Sequence, residues 1–152
     1  MLDIRIDDVT GDAIIALLTR HLDEMHALSP AESVHALDLE GLRAPELTLW
    51  TAWEDGALLG CGALKAIGPE HGELKSFHTT GAARGRGVAT ALLGVIMEEA
   101  RARGYRRLSL ETGRPDSFRA AQTLYARHGF TECPPFGDYW DDPFSLCMTR
   151  TL

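Results

Sequence analysis

Arg84-Gly85-Arg86-Gly87-Val88-Ala89-Thr90 joins a strand-like run, Glu73 to Thr79, to an amphipathic segment from Val88 to about Arg103. Two glycines at a strand-to-helix junction let the backbone curl. Its N–H groups can then point inward together, beside a helix N-terminus that carries partial positive charge. Such a cradle holds phosphate oxygens without requiring any particular side chain. A glycine-rich turn with no ligand is the plain alternative. The reading of the fold turns on which phosphate-bearing ligand the loop accepts.

Three patterns compete. A Walker-type loop needs four residues between its glycines, followed by Lys and Ser or Thr, and nothing here fits. A dinucleotide fingerprint, Gly-x-Gly-x-x-Gly/Ala, is met at two of three positions by Gly85, Gly87 and Thr90, with Glu111 at the end of the next strand. That fingerprint opens a larger parallel sheet, and only about forty residues follow Glu111, too few for its further crossovers. The third pattern, Arg/Gln-x-x-Gly-x-Gly/Ala, is met by Arg84, Gly87 and Ala89. Here the chain resembles the pyrophosphate loop of the GNAT superfamily of acyl-CoA-dependent N-acyltransferases. The resemblance extends over residues 73–130. Glu73 to Thr79 is similar to the family's fourth strand, and Ala121, Leu124-Tyr125 and Gly129-Phe130 to its later helix and following strand.

Composition sets the outer bounds. The length of 152 residues suggests one domain over 1–152, and 45% hydrophobic with 24% charged residues is ordinary for a globular chain. No apolar run approaches the ~20 residues of a membrane span, and the N-terminus carries no signal-peptide core. Cys61, Cys133 and Cys147 are odd in number and lack metal-like spacing, so neither disulfides nor a metal are expected, and a reducing cytoplasm is the expected compartment. A net charge of −7 argues against nucleic acid as a partner and mildly favours a cationic substrate. A monomer and a homodimer are both compatible with the sequence.

Along the chain, Leu2 to Ile6 alternates as a first strand. Ile14, Leu17, Leu18, Leu22 and Met25 recur at helical spacing, predicting a helix from about Asp12 to Ala27 that Ser29-Pro30 stops. Ala31 to Glu46 reads as a short helix and loop. Leu47 to Trp53 and Ala57 to Ile67 are the arms of a hairpin turned by Glu54-Asp55-Gly56, with Gly60 and Gly62 as bulge sites. After the loop come a helix ended by Gly104, a strand Arg107 to Thr112, and a helix with Phe118, Ala121, Leu124, Tyr125 and His128 on one stripe. Phe130 to Cys133 and Phe144 to Thr151 form a last hairpin. One βαβ unit among several hairpins predicts an α/β (α+β) fold: a mixed, mostly antiparallel sheet of six to seven strands with helices on both faces. The GNAT resemblance implies the same order.

The resemblance also implies a ligand and a chemistry. Acetyl-CoA would be the donor, with its phosphates on Arg84, Gly85, Arg86, Gly87, Val88, Ala89 and Thr90. Backbone groups of Phe77 and Thr79 would pair with its pantetheine arm like an added strand. Tyr125 matches the tyrosine that faces the coenzyme's sulfur. Phe118 stands where many members have an asparagine that contacts the coenzyme, so Ser117 or Arg119 must replace that contact or it is lost.

An amine with a pKa near 10.4 is neutral in roughly one molecule per thousand at pH 7, so attack on a thioester is helped by a base. Glu73, at the head of the strand leading to the loop, is one candidate; a strand-end ion pair with Lys75 is the other reading of it. His78 is a second candidate by its pKa range, and strand parity sets it on the face opposite Glu73. Pro134-Pro135-Phe136-Gly137-Asp138-Tyr139-Trp140-Asp141-Asp142 is longer than an ordinary hairpin loop. Aromatics beside carboxylates suit an ammonium group. Asp138, Tyr139 and Trp140 are therefore candidate acceptor contacts, together with Ser29 to His35; aromatics folded onto the core or used at a dimer interface are the alternative. Two functions follow: an N-acetyltransferase acting on a primary amine of a small molecule or peptide through a ternary complex, or a non-catalytic acyl-CoA-binding module.

Overall fold

A computed structural model describes residues 2–35, 37–83 and 85–152, and of Ala82 the backbone only. Seven strands form one sheet in the order β1-β2-β3-β4-β5-β7-β6. They are β1 (Asp3–Asp7), β2 (Leu47–Glu54), β3 (Ala57–Gly68), β4 (His71–Thr79), β5 (Arg107–Gly113), β6 (Thr131–Glu132) and β7 (Ser145–Thr151). The helices are α1 (Asp12–Leu28), α2 (Leu39–Leu42), α3 (Val88–Ala102) and α4 (Arg119–Arg127). Among the paired strands only β4 and β5 run parallel, as the βαβ unit through α3 requires. The expected mixed, mostly antiparallel sheet is therefore observed. Among the described residues, no helix is long and apolar enough to cross a membrane.

Each sheet face has its own core. Ile14, Leu17 and Leu18 of α1 pack with Val9, Leu49, Cys61 and Ala63 on one side. Leu92, Leu93, Ile96 and Ala100 of α3 pack with Leu64, Leu74, Leu108 and Leu110 on the other. Leu59 to Leu64 of β3 is consequently buried without interruption, as expected of a strand covered on both faces. The two small residues there serve close packing. A Cβ at Gly62 would stand 2.7 Å from the Phe77 ring and 2.9 Å from Ile96 Cδ1, and one at Gly60 3.2 Å from Leu92 Cδ1.

The β2–β3 turn is Asp55-Gly56, both with positive φ, the geometry that suits a two-residue hairpin. The bulge that matters for the site lies on β4. Cys61 pairs with His78 and Ala63 with Lys75, so Gly62 alone faces both Ser76 and Phe77. Ser76 takes φ +50°, the kink that admits the extra residue. The parity expectation for His78 is thereby corrected. Glu73 opposes Lys65 and His78 opposes Cys61, and these partners are four residues apart on β3. The inserted residue thus returns His78 to the same face as Glu73, toward α1.

A second departure from regular pairing opens the molecule. β4 and β5 are paired only from His71–Arg107 to Leu74–Leu110, although both strands continue further. Past that point they part, while β5 stays paired to β7 through Gly113. The last hairpin forms as expected, with β6 reduced to Thr131–Glu132.

Candidate active site

A cavity of about 860 Å³ fills the gap between the parted strands. At one end lies the N-terminus of α3. Gly87 precedes the helix with φ +77°, and no side chain caps the first turn, so backbone N–H groups there stay available to an anion. Gly85, Gly87, Val88, Ala89 and Thr90 line this end, and Phe77 and Thr79 of β4 line the adjoining wall. Arg86 is half exposed and reaches Glu54 Oε2 at 3.0 Å, an ion pair on the outside of the loop. Arg84 lies outside the described residues.

Tyr125 lines the middle of the cavity on α4. It is buried, with edge-on contacts to Phe77 and Phe130 at ring-centre distances of 6.2 and 5.9 Å. Burial, and then the nearby Glu111, push its phenol well above the ordinary range. Transfer of its proton to a thiolate, already uphill by roughly 2 kcal/mol at ordinary values, becomes steeper still. Donation of a hydrogen bond to developing charge is the chemistry that remains favourable. Phe118 precedes α4 and packs its ring over Gly113, where a Cβ would come within 2.3 Å of it. Of the two residues expected to replace the missing asparagine contact, Ser117 lines the cavity, whereas Arg119 is turned outward to Asp116 Oδ1 at 2.7 Å.

Glu73 sits behind the cavity wall, only 4% exposed. The Tyr139 hydroxyl donates to Glu73 Oε2 at 2.5 Å, and Lys75 Nζ donates to Tyr139 Oη at 2.9 Å and to Glu73 Oε2 at 3.3 Å. The loop of residues 134–142 thus folds Tyr139 inward over a buried ion pair, and burial with the adjacent carboxylate drives that phenol strongly upward. Tyr139 and Lys75 line the cavity. Asp138 is exposed and outside its lining, and Trp140, 51% exposed, borders a smaller neighbouring cavity. The carboxylate that ties this loop to the Ser29–His35 segment is Asp142, which accepts from Ser33 Oγ at 2.5 Å and is held below the usual carboxylate range chiefly by that bond. His35 completes the cluster, edge-on to both Tyr139 and Trp140.

Glu111, which the sequence offered only as the acidic residue of a partial dinucleotide fingerprint, is a further titratable group of this cavity. It sits on β5 just past the last residue paired to β4, lines the cavity, and is pushed up to about 7 by burial. The Ser145 hydroxyl and then Lys75 work to lower it, and neighbouring Glu73 and Asp142 to raise it. Its position one residue beyond Leu110 was readable; that β4 and β5 separate there was not. His21 of α1 stacks against His78 with ring centres 4.5 Å apart, and burial followed by His78 lowers it to about 4. No cysteine lines the cavity among the described residues, and burial pushes the Cys61 thiol up to about 12.

An uncapped helix end, a strand edge open in mid-sheet and a buried tyrosine between them line one cleft, with room for an extended ligand that carries an anion at one end. The profile of the acetyltransferase (GNAT) family matches residues 14–130, and the chain belongs to that family. It is 52% identical over 149 residues to the uncharacterized N-acetyltransferase YsnE of Bacillus subtilis (strain 168), covering 98% of this chain and 99% of that one. It is also 41% identical over 146 residues to an IAA acetyltransferase of Azospirillum brasilense, covering 93% and 92% of the two chains. Among solved structures, an acyl-CoA N-acyltransferase assigned in Klebsiella pneumoniae superposes with a TM-score of 0.82 at 27% identity, covering 100% of this chain and 98% of that one. The chain is an N-acetyltransferase by family.

Proposed function

We propose that this protein transfers an acetyl group from acetyl-CoA to a primary amine of a small molecule or peptide, by direct attack within a ternary complex formed on one domain spanning 1–152. The observation that carries the reading is the continuity of one cavity. It runs from the uncapped first turn of α3, past Tyr125, to the Ser29–His35 segment and Tyr139. A donor entering from the helix end and an acceptor entering from the loop end meet at Glu111 and Tyr125. Backbone N–H groups at Gly85 and from Gly87 to Thr90 would hold the coenzyme phosphates, and the unpaired edge of β4 at Phe77 and Thr79 its pantetheine arm.

In the proposed reaction the ammonium form of the acceptor first loses a proton. The free amine then attacks the thioester carbon; the C–N bond forms and the C–S bond breaks. A second proton leaves the nitrogen and ends on the departing sulfur, giving an amide and a thiol. Glu111 is the base that stands at the cavity wall, and a carboxylate poised near 7 is matched to taking the first proton. Glu73 lies one layer behind it and acts through Lys75 and Tyr139, whose hydroxyl it holds. Tyr125 donates to the sulfur as charge develops there. The absence of a cysteine from the described lining supports direct transfer over a thiol-bound acyl intermediate. Thiol release from acetyl-CoA across a panel of amines, polyamines, amino acids and peptides tests the proposal. IAA joins the panel because of the Azospirillum relative's name. Release with at least one amine, with stoichiometric amide product, is expected. Tight coenzyme binding with no release on any acceptor would leave only a binding module.

A further inference from the structure

The acceptor side of the cavity carries three side chains that the transfer reaction leaves unused. His21 and Glu24 stand one turn apart on α1, and His78 projects from β4 just after the Ser76 bulge. One donor atom of each lies within 4.8 Å of the other two. All three line the large cavity. The Nδ1 atom of His21 is buried and lacks a hydrogen-bond partner, a cost that ring stacking alone does not offset. Two elements far apart in sequence thus bring two imidazoles and a carboxylate to one point, and the bulge is what turns His78 to this face.

Imidazole nitrogens with one carboxylate suit zinc, cobalt and nickel, whereas magnesium and calcium prefer all-oxygen sites. Three protein ligands on a cavity wall leave a position for an incoming group, the arrangement of zinc sites that exchange a ligand. We propose that His21, Glu24 and His78 bind a divalent transition-metal ion of the zinc class, which in turn takes an oxygen or nitrogen donor of the acceptor. Metal retention stands apart from the transfer reaction. The acceptor's coordination rests on that reaction, and the two halves fail separately.

The test starts from the full chain stripped with a chelator. Zn²⁺ is titrated in competition with a chromophoric chelator, and Co²⁺ is followed by its visible absorption. One equivalent bound at micromolar affinity or tighter is expected, undisturbed by excess Mg²⁺, with an intense low-symmetry Co²⁺ band. Glu24→Gln and His21→Gln should each weaken binding at least tenfold and remove that band. Glu24 is exposed, so its variant keeps the test alive if a histidine variant fails to fold. Absence of stoichiometric binding, or unchanged affinity in Glu24→Gln and in folded His21→Gln, overturns the site. With an acceptor in hand, metal removal should raise the acceptor Michaelis constant and leave that for acetyl-CoA unmoved. An acceptor constant indifferent to the metal overturns the coordination half alone.

Discussion

The two ends of the cavity are built on different principles. The α3 end is made of backbone: two positive-φ glycines, Gly85 and Gly87, and an uncapped helix turn present N–H groups. The α1 end is made of side chains drawn from five places: His21, His35, the β4 face at Lys75 and His78, Glu111, and Tyr139. A backbone cradle recognises what every acyl-CoA shares. A side-chain chamber can be re-lined position by position, so under the proposed function specificity for the acceptor would reside there. Changes at the first end should alter coenzyme affinity for any acceptor. Changes at the second should discriminate among acceptors, and the residues between the two should govern turnover.

The middle carries the largest expected effect. Tyr125→Phe should lower the turnover number by roughly 100-fold, the scale of removing one donor to developing charge, with little change in the Michaelis constant for acetyl-CoA. Steady-state kinetics with a normal turnover number would return Tyr125 to the aromatic core with Phe77 and Phe130. Next is Glu111→Gln, which should lower turnover and erase the acidic limb near pH 7. If that limb survives in Glu111→Gln and vanishes in Glu73→Gln, the base is the carboxylate behind Tyr139.

Glu111 also gives a stability signature. Its folded value is raised above that of an unfolded carboxyl, so the native state binds the extra proton between about 4.5 and 7. Stability attributable to Glu111 should therefore fall as pH rises through that window, by on the order of 3 kcal/mol. His21, lowered to about 4, works in the opposite sense, adding stability as pH rises from about 4 to 6.5. The difference in melting temperature between wild type and Glu111→Gln isolates the first effect. It should grow in favour of the variant toward pH 8, and a constant difference would contradict the burial of this charge.

At the backbone end, Gly87→Val should weaken coenzyme A binding about tenfold, or ~1.4 kcal/mol. The space around Gly87 is open within the protein, but its φ of +77° disfavours a β-branched residue, and a Cβ would intrude on the proposed phosphate cradle. Calorimetric titration of a folded variant reads this directly; unchanged affinity would remove the cradle from the coenzyme site. The smallest effect belongs to Asp138→Asn. Asp138 is exposed and off the lining, so both Michaelis constants should stay within error, whereas Tyr139→Phe should raise the acceptor constant alone.

The same contrast explains what the residues revealed in advance. The loop Gly85–Thr90 and the α3 stripe are local patterns, and Tyr125, which lines the cavity, was singled out because Leu124 and Gly129-Phe130 lie beside it in sequence. The element order and sheet type were legible for the same reason. His78 was assigned to the wrong face because parity counting assumes an unbroken strand, and a single residue at Ser76 reverses it. The place of Glu111 on the cavity wall was hidden because it depends on where β4 stops pairing with β5, a property of two strands and not of either. The grouping of His21, Glu24 and His78 spans most of the first half of the chain, and no spacing rule joins them.

Unpaired strand edges usually invite other chains to add on, and proteins guard against that at the rim of a sheet. Here the rim is defended: β6 is two residues long, and β1 places Asp3 and Arg5 among its five. The parted stretch of β4 and β5 keeps its mutually unpaired edges in the sheet's interior, in a slot walled by the α3 N-terminus and by α4. A slot enclosed within a sheet can admit a slender linear molecule but not the broad face of another sheet. The same gap can therefore serve as a ligand channel in a crowded solution without becoming a seed for aggregation.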